Sequence, residues 1–488
     1  MEATVETLMA GLNNEQFTSV DLVKVRMTIL WENRQWPRQG PYSPGNIKPT
    51  CNQALRLEHL FHLPVGLYGF LSHPINEFYR RTFAGSQKPL HGIPIIIKDN
   101  IATFDKMNTT GQFVRSLDCG ERVSTDTPEA GSWALLGAMV PRDSTVVEKL
   151  RAVGAIILGK ANLSQWADWR SRNSSNGWSA IGGQVYGPYW PAEDPNGSSS
   201  GSAVAAALGL ALGCLGTETD GSIMSPASLE NLVGIKPNSV GPMTKTVKDA
   251  AHILQAIAGV DPYDNYTSAI PGNGSIPDYI AACNISALSG ARIGVPRNVL
   301  SLYSDNTTGP LTDAFERALL ILQEAGAIIV DNSNFTAAEE FKNSTLPTEI
   351  LNADFVVNLE GYLDLLIENP SNITSLESLR NFTQSFPLED YPTRDTGVWD
   401  QALANWNNTD PRFWPAYQKN MYYGGEGGLL GAIERNVLDA VVLPTKFGHS
   451  FAAVVGTPAI TVPLGSYPAD TPIVKNDWGL VELAPNLP

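Results

Sequence analysis

Short apolar runs that follow directly on a glycine-terminated amphipathic helix constrain this chain more than any other feature. Asp143 or Ser144 opens one such helix, Val147 and Leu150 lie on its apolar side, and Gly154 stops it just before Ala155-Ile156-Ile157-Leu158. The pattern returns downstream. Pro310 starts a helix through Phe315, Leu319 and Leu322, Gly326 ends it, and Ile328-Ile329-Val330 follows. Thr18-Ser19-Val20-Asp21 reads as a capping box for a further helix through Leu22, Val23 and Val25. Ala440-Val441-Val442-Leu443-Pro444 and Ala459-Ile460-Thr461-Val462-Pro463 read as buried strands, and Ser202 to Leu212 as a small-residue helix packed tightly in the core. Helix–glycine–strand units of this kind predict an α/β sandwich with a largely parallel or mixed sheet.

Charge and composition narrow the function. The formal net charge is −16 over 488 residues, which argues against a nucleic-acid-binding surface, since that needs clustered Lys and Arg. No apolar stretch reaches the roughly 18 residues of a membrane-spanning helix. The segment Met1-Glu2-Ala3-Thr4-Val5-Glu6 lacks the basic and apolar regions of a secretory leader, yet about a dozen Asn-x-Ser/Thr sequons occur, among them Asn265, Asn284, Asn306, Asn343 and Asn381. A secretory ancestry is therefore expected. Cys51, Cys119, Cys214 and Cys283 show no paired spacing, so neither a zinc site nor a dense disulfide framework is indicated. His59 and His62 share one helical face, but an irregular setting favours structural histidines over a metal pair.

Three elements carry the chemistry. Ile93-Pro94-Ile95-Ile96-Ile97 delivers a single lysine, Lys98. Asn196-Gly197-Ser198-Ser199-Ser200-Gly201-Ser202 places serines among glycines ahead of the small-residue helix, where unpaired N–H groups favour negative charge. Gly216-Thr217-Glu218-Thr219-Asp220-Gly221-Ser222-Ile223 does the same at the end of the next segment. No Gly-Lys-Ser/Thr follows the first loop, which excludes a phosphate-binding P-loop. A serine hydroxyl is a weak nucleophile and needs a base. A lysine kept neutral by burial beside Ile95, Ile96 and Ile97 can supply one, with a second serine relaying the proton.

These residues resemble the amidase signature family. The matching text is Pro89-Leu90-His91-Gly92-Ile93-Pro94-Ile95-Ile96-Ile97-Lys98-Asp99-Asn100, the glycine–serine loop, Thr219-Asp220-Gly221-Ser222-Ile223, Pro226, and Gly234-Ile235-Lys236-Pro237. The resemblance implies an α/β/α sandwich with a central mixed β-sheet, formed as a single amidase domain over residues 1–488. A helical insertion around 350–430 would border a substrate funnel. It implies hydrolysis of a linear carboxamide through a Ser–cisSer–Lys triad and an acyl-enzyme. Ser222 would be the nucleophile, Lys98 the base, and Ser198 the bridging serine with a cis peptide bond. Backbone N–H groups of Thr219, Asp220, Gly221 and Ser222 would form the oxyanion hole, with Ser199 in support. A small-molecule amide is the expected partner, with no nucleic acid, membrane, metal or organic cofactor. Asp220 stands where many members have glycine. With Gly159-Lys160-Ala161-Asn162-Leu163-Ser164-Gln165-Trp166 and Gly182-Gly183-Gln184, it places the chain near bacterial peptide amidases and fungal secreted amidases. The glutamyl-tRNA amidotransferase A-type proteins are the rival. Trp166 and Trp178 read as core or pocket wall.

Some stretches depart from the family pattern. Residues 31–73 and 111–129 read as foreign inserts. Asn238-Ser239-Val240 joins directly to Gly241-Pro242-Met243, where the family carries a further strand and loop, and the chain stops at Pro488 before an expected strand. The expectation is that unspliced inserts, a skipped segment and a truncated end distort this reading frame, so that an inert product is the second rival.

Overall fold

The computed structural model describes residues 3–14, 16–17, 19, 21–22, 88–104, 129–272, 274–305 and 307–488. The segment 31–73, nearly all of 111–129, most of the helix expected from Thr18, and His59 and His62 lie outside them. The first described helix, α1 (Val5–Asn13), opens on a capping box at Thr4 instead.

A six-stranded mixed sheet forms the centre. Its strands are β1 (Pro94–Lys98), β2 (Ile156–Ala161), β3 (Gly213–Thr217), β4 (Val233–Lys236), β5 (Val240–Thr244) and, far downstream, β9 (Ala459–Thr461). The order is β9-β4-β5-β3-β1-β2, with β1 parallel to both β2 and β3 and the remaining pairs antiparallel. Side chains alternate across β1. Ile96 joins Ala203, Ala206, Ile223 and Met224 on one face, while Ile95 and Ile97 join Val5, Leu8, Val147, Leu150 and Ile253 on the other. Helices α3 (Ser200–Ala207) and α4 (Met224–Leu229) therefore cover the first face, and α1, α2 (Thr145–Ala152) and α5 (Val247–Ile257) the second. This double covering is what an all-apolar strand such as β1 demands. The sequence expectation for Ser144, Val147, Leu150 and Gly154 is met by α2, with Gly154 at φ +85°.

Three expectations change. Ile328-Ile329-Val330 and Ala440-Val441 do not join the central sheet. They lie in β7 (Ile328–Asp331), which follows α6 (Gly309–Glu324), and β8 (Ala440–Val441); both flank β6 (Arg292–Val295) in a separate three-stranded parallel sheet. The helix–glycine–strand pattern identifies each unit but not which sheet it joins. The segment at Ala459 is an edge, not a buried strand: it pairs only with β4, and Ile460 is 61% exposed. The small-residue helix also starts earlier and stops sooner than expected, at Ala207, because Gly209 turns left-handed at φ +68°.

Between β7 and β8 the chain is helical, including α7 (Leu346–Leu363), α8 (Leu376–Ser385), α9 (Gly397–Ala404) and α10 (Phe413–Gly424). Glu389 ties this region to the central domain. Its buried carboxylate accepts hydrogen bonds from Ser132 Oγ, Trp133 N–H, Gln165 Nε2 and Arg170 Nη1. Trp166 stacks edge-on against Trp399 in the same interface, which makes it core.

Candidate active site

Strands β1 and β3 run parallel in the register Ile97 to Leu215 and end side by side at Lys98 and Thr217. Carboxyl ends of parallel strands are where α/β sheets present their ligand sites. Lys98 is fully buried, and its Nζ donates to Ser198 Oγ at 2.7 Å, Thr217 Oγ1 at 2.9 Å and the Thr217 carbonyl at 3.2 Å. Asn100 Nδ2 also donates to Thr217 Oγ1, at 3.1 Å. Desolvation pushes the Lys98 amine down to about 7, and the carboxylates of Asp168 and Glu218 pull weakly the other way. A sizeable neutral fraction therefore exists near neutral pH.

Ser198 reaches Lys98 from a loop with left-handed residues at Asn196 (φ +49°) and Gly197 (φ +58°). A Cβ at Gly197 would lie 2.7 Å from Pro226 Cδ, so glycine lets this loop sit directly on the helix after Ser222. The Ser198 carbonyl accepts the Ser164 N–H at 3.1 Å, fixing the loop to the segment after β2. The expected cis bond is corrected: the Gly197–Ser198 peptide is trans, the cis bond among the described residues being Tyr391–Pro392. The left-handed Asn196 and Gly197 turn the chain so that Ser198 meets the lysine. Ser199 touches neither Lys98 nor the Ser222 hydroxyl. Its Oγ donates to the Thr217 carbonyl at 3.0 Å and accepts the Thr217 N–H at 3.2 Å, while its own N–H reaches the Ser222 carbonyl at 3.1 Å. It braces both neighbouring segments.

Ser222 is half-buried, and its hydroxyl has no hydrogen-bond partner among the described residues, Ser198 included. Its loop is held from beneath. Buried Glu218 accepts the N–H groups of Ile223 at 2.6 Å and Met224 at 2.8 Å, and the Gly221 carbonyl accepts the Ser225 N–H at 2.8 Å. Among the described residues, no intramolecular acceptor meets the N–H groups of Thr219, Asp220, Gly221 and Ser222. Replacing Glu218 with alanine should orphan two buried donors, destabilising the fold by roughly 2–6 kcal/mol at about 1–3 kcal/mol each. Denaturant titration checks this, and kcat should fall more than about tenfold as the loop loosens.

Sequence reasoning missed Thr217, Glu218 and three groups around the site. Asp168 closes a run of left-handed residues, Trp166 (φ +54°), Ala167 (φ +55°) and Asp168 (φ +67°). For residues with a Cβ such a run is strained, and the Glu389 contacts to Gln165 and Arg170 brace both its ends. Desolvation raises the Asp168 carboxyl to about 6, opposed by Ser164 and Lys98. The side chain is nevertheless open to solvent, which screens that upward pull, so the group is ionised at neutral pH. On the other flank, Asp220 Oδ1 meets His449 Nδ1 at 2.5 Å, and Ser450 Oγ donates to both carboxylate oxygens at 2.9 and 3.1 Å. The unpaired histidine and the Asp220 substitution were the signals available; their partnership across the fold was not.

The family model described as Amidase matches residues 126–240 and 238–452, two stretches that meet at the β4–β5 turn. A putative amidase of Arthroderma benhamiae is 46% identical over 100% of this chain and 81% of its own length. The crystal structure of native peptide amidase from Stenotrophomonas maltophilia superposes with a TM-score of 0.74 at 30% identity, covering 96% of this chain and 91% of that one. The A-type component of the glutamyl-tRNA(Gln) amidotransferase of Symbiobacterium thermophilum is 37% identical but matches only 50% of this chain and 47% of that protein.

Proposed function

Because the chain belongs to the amidase signature family and is a hydrolase acting on amide C–N bonds, we propose that it cleaves a linear carboxamide through Ser222, Ser198 and Lys98. The single observation that carries this reading is the hydrogen-bond inventory at Lys98 Nζ. A neutral amine has two N–H donors and one lone pair. The Thr217 carbonyl can only accept, and Thr217 Oγ1 is placed to accept as well, so both N–H groups are committed to Thr217. In the charged form the third N–H donates to Ser198 Oγ at 2.7 Å; once that proton is lost, the lone pair faces Ser198 and its hydroxyl becomes the donor. Thr217 thus orients the base, and Ser199 holds Thr217.

In the proposed cycle Ser198 passes its proton to Lys98 and takes the proton of Ser222. The Ser222 oxygen attacks the amide carbon, and the tetrahedral oxyanion receives the free N–H groups of Thr219 to Ser222. Removing one such donor typically costs about 10²–10³ in rate. The proton returns through Ser198 to the leaving nitrogen. Water then cleaves the acyl ester by the reverse relay. Ser222 Oγ makes no hydrogen bond to Ser198, and a catalytic contact of this kind often forms only as substrate binds.

The substrate class is a small amide, and a peptide amide is the first choice because a similar structure is that of a peptide amidase. Ammonia release from a peptide amide by the purified chain tests it. Wild-type turnover should be lost in Ser222→Ala, whereas release only in the presence of a co-purifying partner would favour the amidotransferase-type rival. A second outcome concerns pH. The kcat/KM profile should fall on the acid side with a midpoint near pH 7, as Lys98 takes up a proton. Asp168→Asn removes a carboxylate that favours the charged amine, so this acid limb should move to lower pH. A limb that stays put or moves up would separate Asp168 from the base.

A further inference from the structure

We propose that His449 is a positioning residue for the loop Thr219–Ser222, and that its protonated ring cancels the Asp220 charge beside the developing oxyanion. The proposal rests on the reading of that loop as the oxyanion site.

The geometry begins with Asp220. Its N–H is one of the free donors of the loop, yet its side chain carries a negative charge into the same neighbourhood. A carboxylate there opposes the oxyanion that the N–H groups stabilise, a conflict that does not arise where this position is glycine. His449 answers it from across the fold. It sits on α11 (Thr445–Ala453), whose buried Phe447 and Phe451 anchor the helix in an aromatic cluster with Phe335 and Phe341. Nδ1 of His449 meets Asp220 at 2.5 Å, and the ring covers Gly221, where an added Cβ would lie 3.1 Å from Cε1 and 3.2 Å from Nδ1. Gly221 is left-handed at φ +78°, and the same Cβ would meet Ser225 Oγ at 3.1 Å. The loop is thus gripped from outside by His449 and Ser450, and from inside by Glu218 and Ser225.

The surrounding charges favour the protonated ring. Burial works against it, but the hydrogen bond and charge of Asp220, joined by Glu218, outweigh burial and the opposing Lys236, so the imidazole is held above its ordinary value. Asp220 is exposed, which screens the upward pull of burial, and His449, Ser450 and Lys236 outweigh what remains, holding the carboxyl below its ordinary value. Tyr303 also lies close to Asp220, and Lys446 precedes His449 on its own helix. With the ring protonated the pair carries no net charge, and the N–H dipoles act on the oxyanion unopposed. Deprotonating His449 leaves the Asp220 charge uncancelled.

Two limbs therefore bound the pH profile of kcat: an acid limb from Lys98 and an alkaline limb from His449. The test compares amide hydrolysis over pH 5–10 for wild type, His449→Gln, Asp220→Asn and the double variant. His449→Gln should lose about tenfold or more in kcat with KM within about threefold, and should lose the alkaline limb while keeping the acid one. Adding Asp220→Asn should then recover at least about fivefold, because the uncancelled charge is gone; a merely structural histidine would show no such rescue. An unchanged alkaline limb, a loss confined to KM, or no rescue overturns the proposal. Where His449→Gln does not fold, Asp220→Asn alone decides, since it must abolish the alkaline limb. Failure of the underlying reading of the Ser222 loop is distinguishable, because Ser222→Ala would then keep hydrolysing the amide, whereas failure of this proposal alone leaves Ser222 essential.

Discussion

Replacing Lys98 with methionine should abolish turnover while making the fold more stable. Methionine matches the lysine in length and suits the apolar end of β1, but it offers no proton acceptor to Ser198. The loss in kcat should be on the order of 10⁴ or more, as for the removal of one member of a unit that acts together. The gain in stability follows from burial. The amine falls from 10.5 in the free side chain to about 7 in the fold, which at 1.36 kcal/mol per pKa unit is about 5 kcal/mol against folding. Lost hydrogen bonds to Ser198 and Thr217 offset about 1 kcal/mol apiece, leaving a net gain of about 2 kcal/mol. The sign with pH is definite. Between pH 7 and 10.5 the unfolded chain binds more protons than the folded one, so the wild type gains stability as pH rises through that window. The penalty is complete below pH 7. The advantage of Lys98→Met should accordingly be largest at pH 6 and fade towards pH 10, read as the difference in thermal midpoint. A variant less stable than wild type at pH 6 would mean the buried lysine is charged and paired.

Gly241→Ala should have the largest effect on the fold. Gly241 lies on β5 opposite Gly216 of β3, one residue before Thr217. An added Cβ would stand 1.8 Å from the carbonyl oxygen of Ile235, 2.9 Å from its carbonyl carbon and 3.0 Å from Pro237 Cδ. The obstacle is backbone, and β4 cannot retreat because it is paired to β5 on one side and β9 on the other. The clash therefore either breaks the β4–β5 hairpin or displaces β5 from β3. Overpacking against fixed backbone belongs to the rare class of substitutions that exceed about 4 kcal/mol. Little soluble protein, or a collapsed thermal midpoint, is expected. Gly361→Ala on α7 is the control: among the described residues nothing lies within 4 Å of its added Cβ, so alanine there should be neutral or stabilise by up to about 1 kcal/mol. Equal midpoints for the two variants would contradict the tight hairpin.

That hairpin bears on the expectation of a distorted reading frame. Around Asn238-Ser239-Val240, where a skipped segment was expected, β4 and β5 pair directly with each other. The Ser239 carbonyl accepts the Glu218 N–H at 2.7 Å. The β4–β5 turn thus contacts the base of the Ser222 loop.

The site was legible where it is written in contiguous motifs. Lys98, the glycine–serine loop and the Ser222 loop each announce themselves within a few residues, because a strand end and a helix start need particular residue types at fixed offsets. Thr217 was passed over because its part depends on β3 lying beside β1, a fact of sheet order. Asp168 was hidden by a left-handed turn that no propensity predicts for Trp166 and Ala167. His449 lies far along the chain from Asp220, and only the docking of α11 brings them together. The cis bond expected at Ser198 came with the family pattern and not with this chain's own loop, where Asn196 and Gly197 take up the turn. The α/β class followed from periodicity, but periodicity is local, so it could not assign β7 and β8 to a second sheet or place β9 at an edge.

The proton relay itself is tested most directly by the rate at which a fluorophosphonate labels Ser222 as pH is varied. The account predicts modification at Ser222 alone, a single-proton rise in rate centred near pH 7, and loss of that rise in Lys98→Met. Labelling at another serine, or a rate that stays flat from pH 5 to 9 in the wild type, would contradict it.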